Sequence, residues 1–415
     1  MINDSSILIK NMPKTWEAKK IKYVFEERKE INNPVKTDTL ISLTHDKGVI
    51  PHNEKGSVGN KAKEDLSKYK IVYPGDIVVN SMNVIIGSSG LSDYFGLVSP
   101  VYYMLYKKDK NNNDKFFHYL FRSYVFQKSL IGVGNGILEH RMRVPIDKLG
   151  SHLIPLPPYE DQELISRYLD KKINNINLFI EKIQKKIVLL KEQRNELINH
   201  YVTKGINPNV EMKDSGVEWI GEIPKHWDCK KLKFVSKHIS EKRLPVQGDI
   251  KISPENVESE SGKILDFYSE YDTEGQIFST GDILFNKLRV YLNKVVLCDF
   301  SGLSMGEMIV IRPGEIFGPF LHRVLNSVGF IDRVNSLSNG VKVPRPPVDG
   351  IFNSLIPFPP ESEQIEIFKH LDTRLKKIES LIEKLTNQIN LVTEYRQSLI
   401  SSVVTGKLRL TEELI

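Results

Sequence analysis

The same sequence pattern occurs twice in this chain of 415 residues, and this repeat limits the possible folds more than any other feature. The segment LIPLPPYEDQELI at 153–165 recurs as LIPFPPESEQIEI at 355–367. An earlier block, PKTW followed by KKIKYV within 13–24, recurs as PKHW and KKLKFV within 224–235. Because the blocks match in order, we interpret the chain as a tandem duplication of a unit of roughly 205 residues.

Each copy contains a stretch in which apolar residues recur at alternating steps of four and three, starting at Leu169 and Leu371. This 3.5-residue period predicts two coiled-coil helices of about 33 residues, each roughly 50 Å long. A Pro-Pro pair precedes each predicted helix, and a glycine, Gly205 or Gly406, ends it. The simplest partner for each apolar seam is the other helix, in an antiparallel arrangement around a pseudo-twofold axis.

One arginine interrupts each seam, Arg194 in the first copy and Arg396 in the second. Two interpretations stay open. The arginines could be buried polar residues that fix the register of the coiled coil. They could equally extend to the surface near the helix ends, with only their aliphatic stems packed.

Between the repeated blocks the two copies share little sequence beyond a Gly-Asp-Ile echo at 75–77 and 281–283, which predicts a turn leading into a strand. Short β-type runs between turn signals predict further strands, and apolar patches predict helices. The strand runs are 70–73, 76–79, 101–104, 282–285 and 294–297, and the helical patches are 116–130 and 318–337.

The predicted fold class is α/β (α+β), with two globular domains joined by two long antiparallel coiled-coil helices and an internal pseudo-twofold duplication. We predict four segments. They are a first insert domain (1–152), a first spacer helix (153–205), a second insert domain (206–354) and a second spacer helix (355–415). A repeated frame with divergent inserts predicts one architecture that presents two different recognition surfaces.

Polar and basic residues cluster after the predicted strands and near the end of each insert domain. Arginine, lysine and asparagine are the side chains that read guanine and adenine edges or hold phosphates. Any one of them could instead be a solvated loop residue, but their grouping at matching places favours a collective role. The candidates are Asn80, Ser81, Asn83, Arg141, Arg143, Asn286, Lys287, Arg289, Tyr291, Lys294, Lys342 and Arg345.

Composition excludes several classes of protein. Fifty-eight basic against 52 acidic residues give a net charge of +6, which fits partial contact with an anionic polymer but does not demand it. Two cysteines cannot form a disulfide framework or a four-thiolate zinc site. No apolar run is long enough for a membrane span, so we expect a cytoplasmic protein.

Motifs for catalysis do not emerge from the sequence. The Thr405-Gly406-Lys407 segment lacks the first glycine and the hydroxyl residue of a phosphate-binding loop. The segment Leu156-Pro157-Pro158-Tyr159 has leucine where amino-methylating enzymes need an Asp or Asn to orient the adenine. His45 and His52 have no third ligand nearby in sequence. We therefore predict no catalytic residue, no metal ligand and no cofactor, as in an adaptor.

The whole pattern resembles the DNA-specificity subunit of Type I restriction-modification systems. The resemblance covers nearly the entire chain and rests on three features. They are the duplicated Ile-Pro-x-Pro-Pro-x-x-x-Gln starts at 154–162 and 356–364, the Val-Thr helix ends, and the segment IGEIPKHW at 220–227.

This resemblance implies that each insert domain is a target-recognition domain that reads one half of a split, asymmetric site on double-stranded DNA. It implies that the paired helices are a spacer between the half-sites. It further implies that two modification subunits dock on the duplicated frame and methylate adenine, and that restriction subunits add ATP-driven translocation and cleavage. No catalytic group would then lie on this chain.

Two alternatives belong to other functional classes. A coiled-coil scaffold that joins two protein-binding domains would show no steep loss of DNA affinity with salt, whereas a DNA-binding subunit would. A self-contained nuclease or methyltransferase would be active alone with metal or S-adenosylmethionine, and the missing motifs argue against it.

Overall fold

The computed structural model describes residues 6–45, 47–55, 65–134, 143–267, 270–338 and 345–414. The chain divides into two compact units. The first contains Met1–Ile183 with Asn387–Ile415, and the second contains Gln184–Thr386. Both divisions fall inside long helices, so each unit combines one insert domain with one end of each helix. The division into four segments at 152, 205 and 354 stays a prediction.

The described residues form helices that range from single turns to two of more than forty residues. The helices are α1 Ser6–Ile9, α2 Ile21–Val24, α3 Asp114–Arg122, α4 Tyr124–Ser129, α5 Ile146–Ser151, α6 Tyr159–Lys204, α7 Leu232–Val235, α8 Gly318–Asn326, α9 Val328–Ser336, α10 Val348–Phe352 and α11 Glu361–Val404.

The strands are mostly of three or four residues. They are β1 Glu17–Lys20, β2 Phe25–Arg28, β3 Ile41–Thr44, β4 Gly48–Pro51, β5 Lys70–Val72, β6 Ile77–Asn80, β7 Ser89–Leu91, β8 Gly96–Val98, β9 Tyr102–Lys107, β10 Leu153–Leu156, β11 Met212–Asp214, β12 Glu222–Pro224, β13 Asp228–Lys231, β14 Ser236–Ile239, β15 Lys242–Arg243, β16 Lys251–Ile252, β17 Gly275–Phe278, β18 Ile283–Asn286, β19 Val295–Leu297, β20 Gly302–Ser304, β21 Met308–Pro313 and β22 Leu355–Phe358.

A four-stranded antiparallel sheet in the order β2-β9-β6-β7 forms the centre of the first insert domain. Helix α3 covers it with a row of buried phenylalanines, and the ring of Phe117 meets that of Phe25 edge-on at 4.8 Å. The pairs β3-β4 and β5-β8 form smaller sheets in the same domain. The pair β1-β10 joins the two ends of the insert domain, next to the start of α6.

The second insert domain repeats the central sheet and the closing strand pair of this plan. Its central sheet has the order β14-β21-β18-β19, with α8 and α9 in the places of α3 and α4. Strands β13 and β22 pair as β1 and β10 do. The second sheet is larger than its counterparts, with the order β15-β17-β20-β16. The predicted fold class and internal duplication are confirmed.

The predicted strands and helical patches are confirmed, but each patch consists of two helices. Ser123 separates α3 from α4, and Ser327 separates α8 from α9. Each serine hydroxyl accepts a hydrogen bond from a backbone N–H of the second helix, at Phe126 and Phe330. This N-cap starts a new helix at an angle to the first.

The aspartate of the Gly-Asp-Ile echo is buried in both copies and binds an arginine. In the first insert domain, Asp76 accepts from Arg28 Nε at 2.9 Å and from Arg28 Nη2 at 3.1 Å. In the second, Asp282 accepts from Nε and Nη2 of Arg312, both at 2.7 Å. The arginines come from different strands, β2 in one copy and β21 in the other. The echo therefore preserves a buried carboxylate, whereas its partner has changed place.

The two long helices exceed the length that the apolar period predicts. Helix α6 has 46 residues and α11 has 44, which correspond to about 69 and 66 Å. The predicted length of about 33 residues is wrong because it counts only the seam from Leu169. The earlier turns of α6 bury Ile165 and Tyr168 in the core of the first insert domain. Gly205 and Gly406, with φ of +73° and +70°, follow the last turns as predicted.

In each unit an end of α6 packs antiparallel to an end of α11, as predicted. In the first unit, Arg396 Nη1 donates to Asn177 Oδ1 at 2.7 Å. In the second, Arg374 Nη1 donates to the Tyr201 hydroxyl at 2.8 Å, and the ring of Tyr201 lies 4.7 Å from that of His370. Within the described part of the chain, no helix has the length and apolar character needed to cross a membrane.

The two seam arginines have different environments, so neither of the two interpretations fits both. Arg194 is buried, but its nearest partners are Asn195 and, at 3.5 Å, Glu260 of the second insert domain. Arg396 is half-buried and links α11 to α6 through Asn177. Only Arg396 therefore makes the interhelical contact expected of a residue that fixes register.

The motifs that mark the first copy meet at a joint between the insert domain and α6. Trp16 Nε1 donates to Asp161 Oδ2 at 2.7 Å. The neighbouring Gln162 accepts from the backbone N–H of Asn113, the N-cap of α3, at 2.9 Å. Gln162 also donates to the carbonyl of Pro157 at 2.8 Å. A single buried amide thus connects the start of α6 to the start of α3.

The second copy has the same joint. Trp227 Nε1 donates to Glu363 Oε2 at 2.9 Å. Gln364 accepts from the backbone N–H of Phe317, the N-cap of α8, at 2.8 Å and donates to the carbonyl of Pro359 at 2.8 Å. The repeated Trp and Pro-Pro-x-x-x-Gln motifs therefore have one structural cause, which is to hold each insert domain on its helix.

Candidate nucleic-acid interface

Those predicted contact residues that the structure describes lie around one edge of each central sheet, where β6 and β18 end. The last residues of these strands, Asn80 and Asn286, are buried. Asn80 Oδ1 accepts from the backbone N–H of Met82 at 3.0 Å. Asn286 accepts from the backbone N–H of Leu288 at 3.0 Å and donates to the Leu288 carbonyl at 2.7 Å. These amides hold the turns, and their contact with DNA stays a prediction.

In the first insert domain, Ser81 is also buried, and its hydroxyl donates to the Val101 carbonyl at 2.9 Å. Asn83 is half-buried and begins the next turn, and Arg143 is exposed. Arg141 lies outside the described residues. Of the described candidates in this domain, Asn83 and Arg143 are therefore the ones that reach solvent.

In the second insert domain, one carboxylate brings two of the candidates together. Lys287 Nζ lies 3.0 Å from Glu307 Oε2, and Arg345 Nη2 lies 3.0 Å from Glu307 Oε1. The backbone N–H of Lys287 also donates to the Glu307 carbonyl at 3.0 Å. Glu307 is not among the predicted residues, because basic and amide side chains, rather than acidic ones, are typical of contacts with bases and phosphates.

Two further candidates of the second insert domain are exposed next to this cluster. Arg289 has a left-handed backbone with φ of +52° and precedes the short turn that carries exposed Tyr291. Lys294 is half-buried, donates to the Pro254 carbonyl at 2.7 Å, and has its pKa lowered by burial. Lys294 therefore serves the packing of the loop. Lys342 lies outside the described residues.

The two edges can be compared position by position. Strand β6 pairs with β9 in the same register in which β18 pairs with β21. Counted from the strand ends, Ser81 and Val101 occupy the positions of Lys287 and Glu307. The same backbone frame thus carries a neutral pair in one insert domain and an ion pair in the other.

A cleft of about 1250 Å³ opens beside this edge in the first insert domain. Asn80 and Asn83 line it, together with residues of the β3-β4 hairpin. His52 lies in its wall, with Nδ1 2.8 Å from the Ser42 hydroxyl, as expected of a structural histidine. The sequence did not reveal this cleft, because the hairpin and the β6 turn are distant in sequence. The histidine, lysine and acidic residues that line the cleft are His45, Lys47, His52, Glu54, Lys55, Asp65 and Lys68.

The arrangement suits recognition of a polyanion. Exposed guanidinium, amide and phenol groups can contact phosphates, base edges and base faces. Among the described residues, no group of three or more His, Cys, Asp or Glu side chains is placed to hold a metal ion.

Comparison with known protein families identifies the frame. The family described as "Type I restriction modification DNA specificity domain" matches residues 13–189. The chain is 26% identical to the MjaVIII specificity subunit of Methanocaldococcus jannaschii over 376 residues, which cover 83% of each protein. It is 22% identical to the EcoDI specificity subunit of Escherichia coli over 276 residues, which cover 61% of this chain and 62% of that protein.

Solved structures share the fold at low sequence identity. A chain from a study of complex assembly and conformational transition of the type I R-M system superposes with a TM-score of 0.70. It is 14% identical, and the match covers 96% of this chain and 99% of that one. The HsdS subunit from Thermoanaerobacter tengcongensis, also 14% identical, has a TM-score of 0.50 and covers 96% and 98%.

The family match begins at the Trp16 block and continues through the first joint into α6. The second copy repeats this joint with the same hydrogen bonds. The relatives that match over most of this chain are specificity subunits. Together, the family match, the relatives and the shared fold support the assignment of this chain as a DNA-specificity subunit of a Type I restriction-modification system.

Proposed function

We propose that this chain reads a split, asymmetric site on double-stranded DNA, with one half-site for each insert domain. One observation carries the proposal. Matching sheet edges present different polar groups on the same frame, Asn83 and Arg143 in the first insert domain and Lys287, Arg289 and Arg345 in the second. Each base pair offers its own pattern of donors and acceptors in the major groove, so two different half-sites require such different side chains.

The proposed contacts divide by chemistry. Exposed arginines suit guanine edges or phosphates, Asn83 suits an adenine edge, and Tyr291 offers a ring and a hydroxyl. Arg141 and Lys342 stay predicted contacts on their sequence positions alone. The net charge of +6 supports a phosphate contribution to affinity, which would weaken as salt rises.

We also propose that α6 and α11 set the distance between the half-sites. Half-sites read from one face of B-DNA lie about 34–36 Å apart, one helical turn of the duplex. Each helix is longer than this, at about 69 and 66 Å. Because the joint fixes each insert domain to a helix start, a change of helix length would change the spacing that the protein can read.

The chemistry is proposed to lie on partner subunits. Membership of the specificity family supports a chain that directs adenine methylation and cleavage by modification and restriction subunits without catalysing either. Because the proposed substrate is cellular DNA, we place the chain in the cytoplasm.

A repeated exposed aromatic supports docking of two copies of one modification subunit. Tyr23 in α2 and Phe234 in α7 occupy matching places and are 62% and 65% exposed. A lysine lies beside each ring, with Lys22 and Lys233 both 5.4 Å from the ring centres. Exposed rings that persist while the recognition edges diverge suit a surface used twice by the same partner.

The direct test is single-molecule methylome sequencing of the source cell with and without this gene. We expect a split motif with methylated adenine that disappears on deletion and returns when the gene is restored. Identical methylomes with and without the gene would overturn the proposed function. Replacing the first insert domain by one from a relative should change one half of the motif only, and a change in both halves would contradict the assignment of one half-site to each domain.

A further inference from the structure

The acidic residue in the middle of the basic edge of the second insert domain needs an explanation. Glu307 lies in the turn between β20 and β21, directly after Gly306, whose φ is +65°. A carboxylate at a surface that meets DNA repels phosphates, so it weakens binding unless it has another task. Its two oxygens are each used by a different cation, Oε2 by Lys287 and Oε1 by Arg345.

We infer that Glu307 is a positioning residue that fixes the Arg345 guanidinium for recognition of a guanine in the second half-site. This inference rests on the proposed function. Arg345 touches the base, and Glu307 acts through Arg345.

The exposures support this division of tasks. The side chain of Glu307 is 24% exposed and that of Lys287 28%, whereas that of Arg345 is 54% exposed. Glu307 and Lys287 therefore form the inner part of the cluster, and the guanidinium of Arg345 is its outer end. The backbone bond from the Lys287 N–H to the Glu307 carbonyl, at 3.0 Å, holds the carboxylate in place from behind.

The ion pair with Glu307 also leaves other N–H groups of Arg345 available to contact a base. Its contact with Glu307 is made through Nη2, and a guanidinium has five N–H donors in a rigid fork. An arginine recognises guanine with two parallel hydrogen bonds to O6 and N7, which demands a fixed plane. The ion pair with a partly buried carboxylate restricts the position of the guanidinium before DNA arrives, which reduces the ordering cost on binding.

The first insert domain lacks this device. Val101 occupies the position of Glu307, and its carbonyl accepts from Ser81 instead. Exposed Arg143 therefore has no carboxylate at the corresponding position of the edge. Loss of Glu307 should consequently affect the second half-site and leave the first unchanged.

The test compares methylomes of a deletion strain complemented with the full-length wild-type chain, with Glu307→Gln or with Glu315→Gln. Glu315→Gln is the matched control, since it removes the same charge from the same insert domain, and the ion pair that Glu315 makes among the described residues is with Lys230, at 3.6 Å. For Glu307→Gln we expect at least about tenfold weaker discrimination against a substituted base pair at one position of the second half-site. The first half-site and the control motif should be unchanged.

A second readout separates positioning from a structural role. Glu307→Gln frees two cations, so its purified complex should bind a duplex without the motif more tightly and with a steeper salt dependence, by about one phosphate contact. A variant that is merely misfolded would bind more weakly to a duplex with the motif and also to a duplex without it. Restoring the carboxylate with Glu307→Asp should recover part of the discrimination.

Several results would overturn the inference. One is an unchanged motif with Glu307→Gln, and another is relaxation of both half-sites. If the Glu307→Gln protein does not accumulate in the cell, Arg345→Lys provides the test. This variant retains the positive charge but loses the two-pronged guanidinium that makes paired hydrogen bonds. An unaltered second half-site in that variant refutes the role of Arg345. Absence of any split motif with the wild-type chain overturns the proposed function, and the inference with it.

Discussion

Each insert domain has a buried aspartate that pairs with an arginine, but the arginine lies on a different strand in each domain. The arginine of the first domain could therefore be moved by substitution to the strand position that it has in the second. In the first domain, Arg28 on β2 reaches Asp76 across the ring of Tyr106, which lies 4.8 Å from the guanidinium. In the second, Arg312 occupies the position of Tyr106 and pairs directly across the sheet with Asp282. We predict that Arg28→Ile destabilises the first insert domain and that adding Tyr106→Arg restores it.

The magnitude follows from burial. Removing one partner of a fully buried ion pair costs about 3–5 kcal/mol. The Arg28 side chain is 28% exposed while that of Asp76 is only 2% exposed, so partial screening lowers the expected loss to about 2–3 kcal/mol. Asp76 would keep one donor, the backbone N–H of Tyr73 at 3.0 Å. In the double variant the new arginine should recover at least half of the loss, since the second insert domain already uses this geometry.

Hydrogen exchange measured by mass spectrometry reports the change in stability of the first insert domain separately from that of the second. A loss of 2–3 kcal/mol corresponds to amide exchange about 30- to 150-fold faster in peptides from β6 and β9, if exchange follows opening of the domain. Peptides from β18 serve as the internal reference. Lys29→Ile is the matched control, because it removes the same charge from the neighbouring residue. The Lys29 side chain is exposed, and its Nζ lies 3.8 Å from Glu27 Oε2. Unchanged exchange with Arg28→Ile, or a double variant as labile as the single one, would refute the reasoning.

Four further single variants test the joint, a buried histidine and the proposed docking surface. Gln364→Ala removes the acceptor for the N-cap of α8 and should cost about 1–3 kcal/mol locally, seen as faster exchange in α8 peptides but not in α3 peptides. Burial lowers the pKa of His152 from 6.5 to about 4, so the unfolded state binds more protons between these values. The free energy of unfolding of the first unit should therefore decrease as the pH is lowered from 6.5 to about 4, by about 1.4 kcal/mol per pH unit for this group. His152→Ser should remove this part of the slope in hydrogen exchange measured at several pH values. Tyr23→Ala and Phe234→Ala should each reduce the bound modification subunits from two to one in native mass spectrometry, and full occupancy of the double variant would contradict the docking surface.

The sequence predicts the frame because the frame is encoded by local periodicity and by repetition. The heptad seam, the Pro-Pro starts and the glycine ends are all short-range signals, and the duplication doubles each of them. The predicted length of α6 is too short because its first turns follow a different period, set by packing of Ile165 on the insert domain. The apolar period of the seam predicts only those turns of α6 that contact the other helix, and not the turns that pack on the insert domain.

The candidate site is harder to predict because it depends on partners distant in sequence. Asn80 and Asn286 carry the right functional groups, but burial turns them inward to hold their turns. Glu307 presents the opposite case, because a lone carboxylate would repel DNA phosphates and so does not suggest a DNA-binding site. Its role becomes visible only when the structure places Lys287 and Arg345 beside it. The strand register that aligns Val101 with Glu307 is a property of the sheet and leaves no local trace in the sequence.

The contrast between the joint and the arginine pairs indicates what each part of the chain must preserve. At the joint, both copies retain the same donors and acceptors, because each must hold a helix start against a helix N-cap with a single geometry. In the sheets, only the buried carboxylate is retained, and the arginine has moved from β2 to β21. A compensated change of this kind leaves the sheet intact while the edge above it acquires new side chains. A specificity subunit needs this combination, since its frame must fit unchanging partners while its recognition edges diverge.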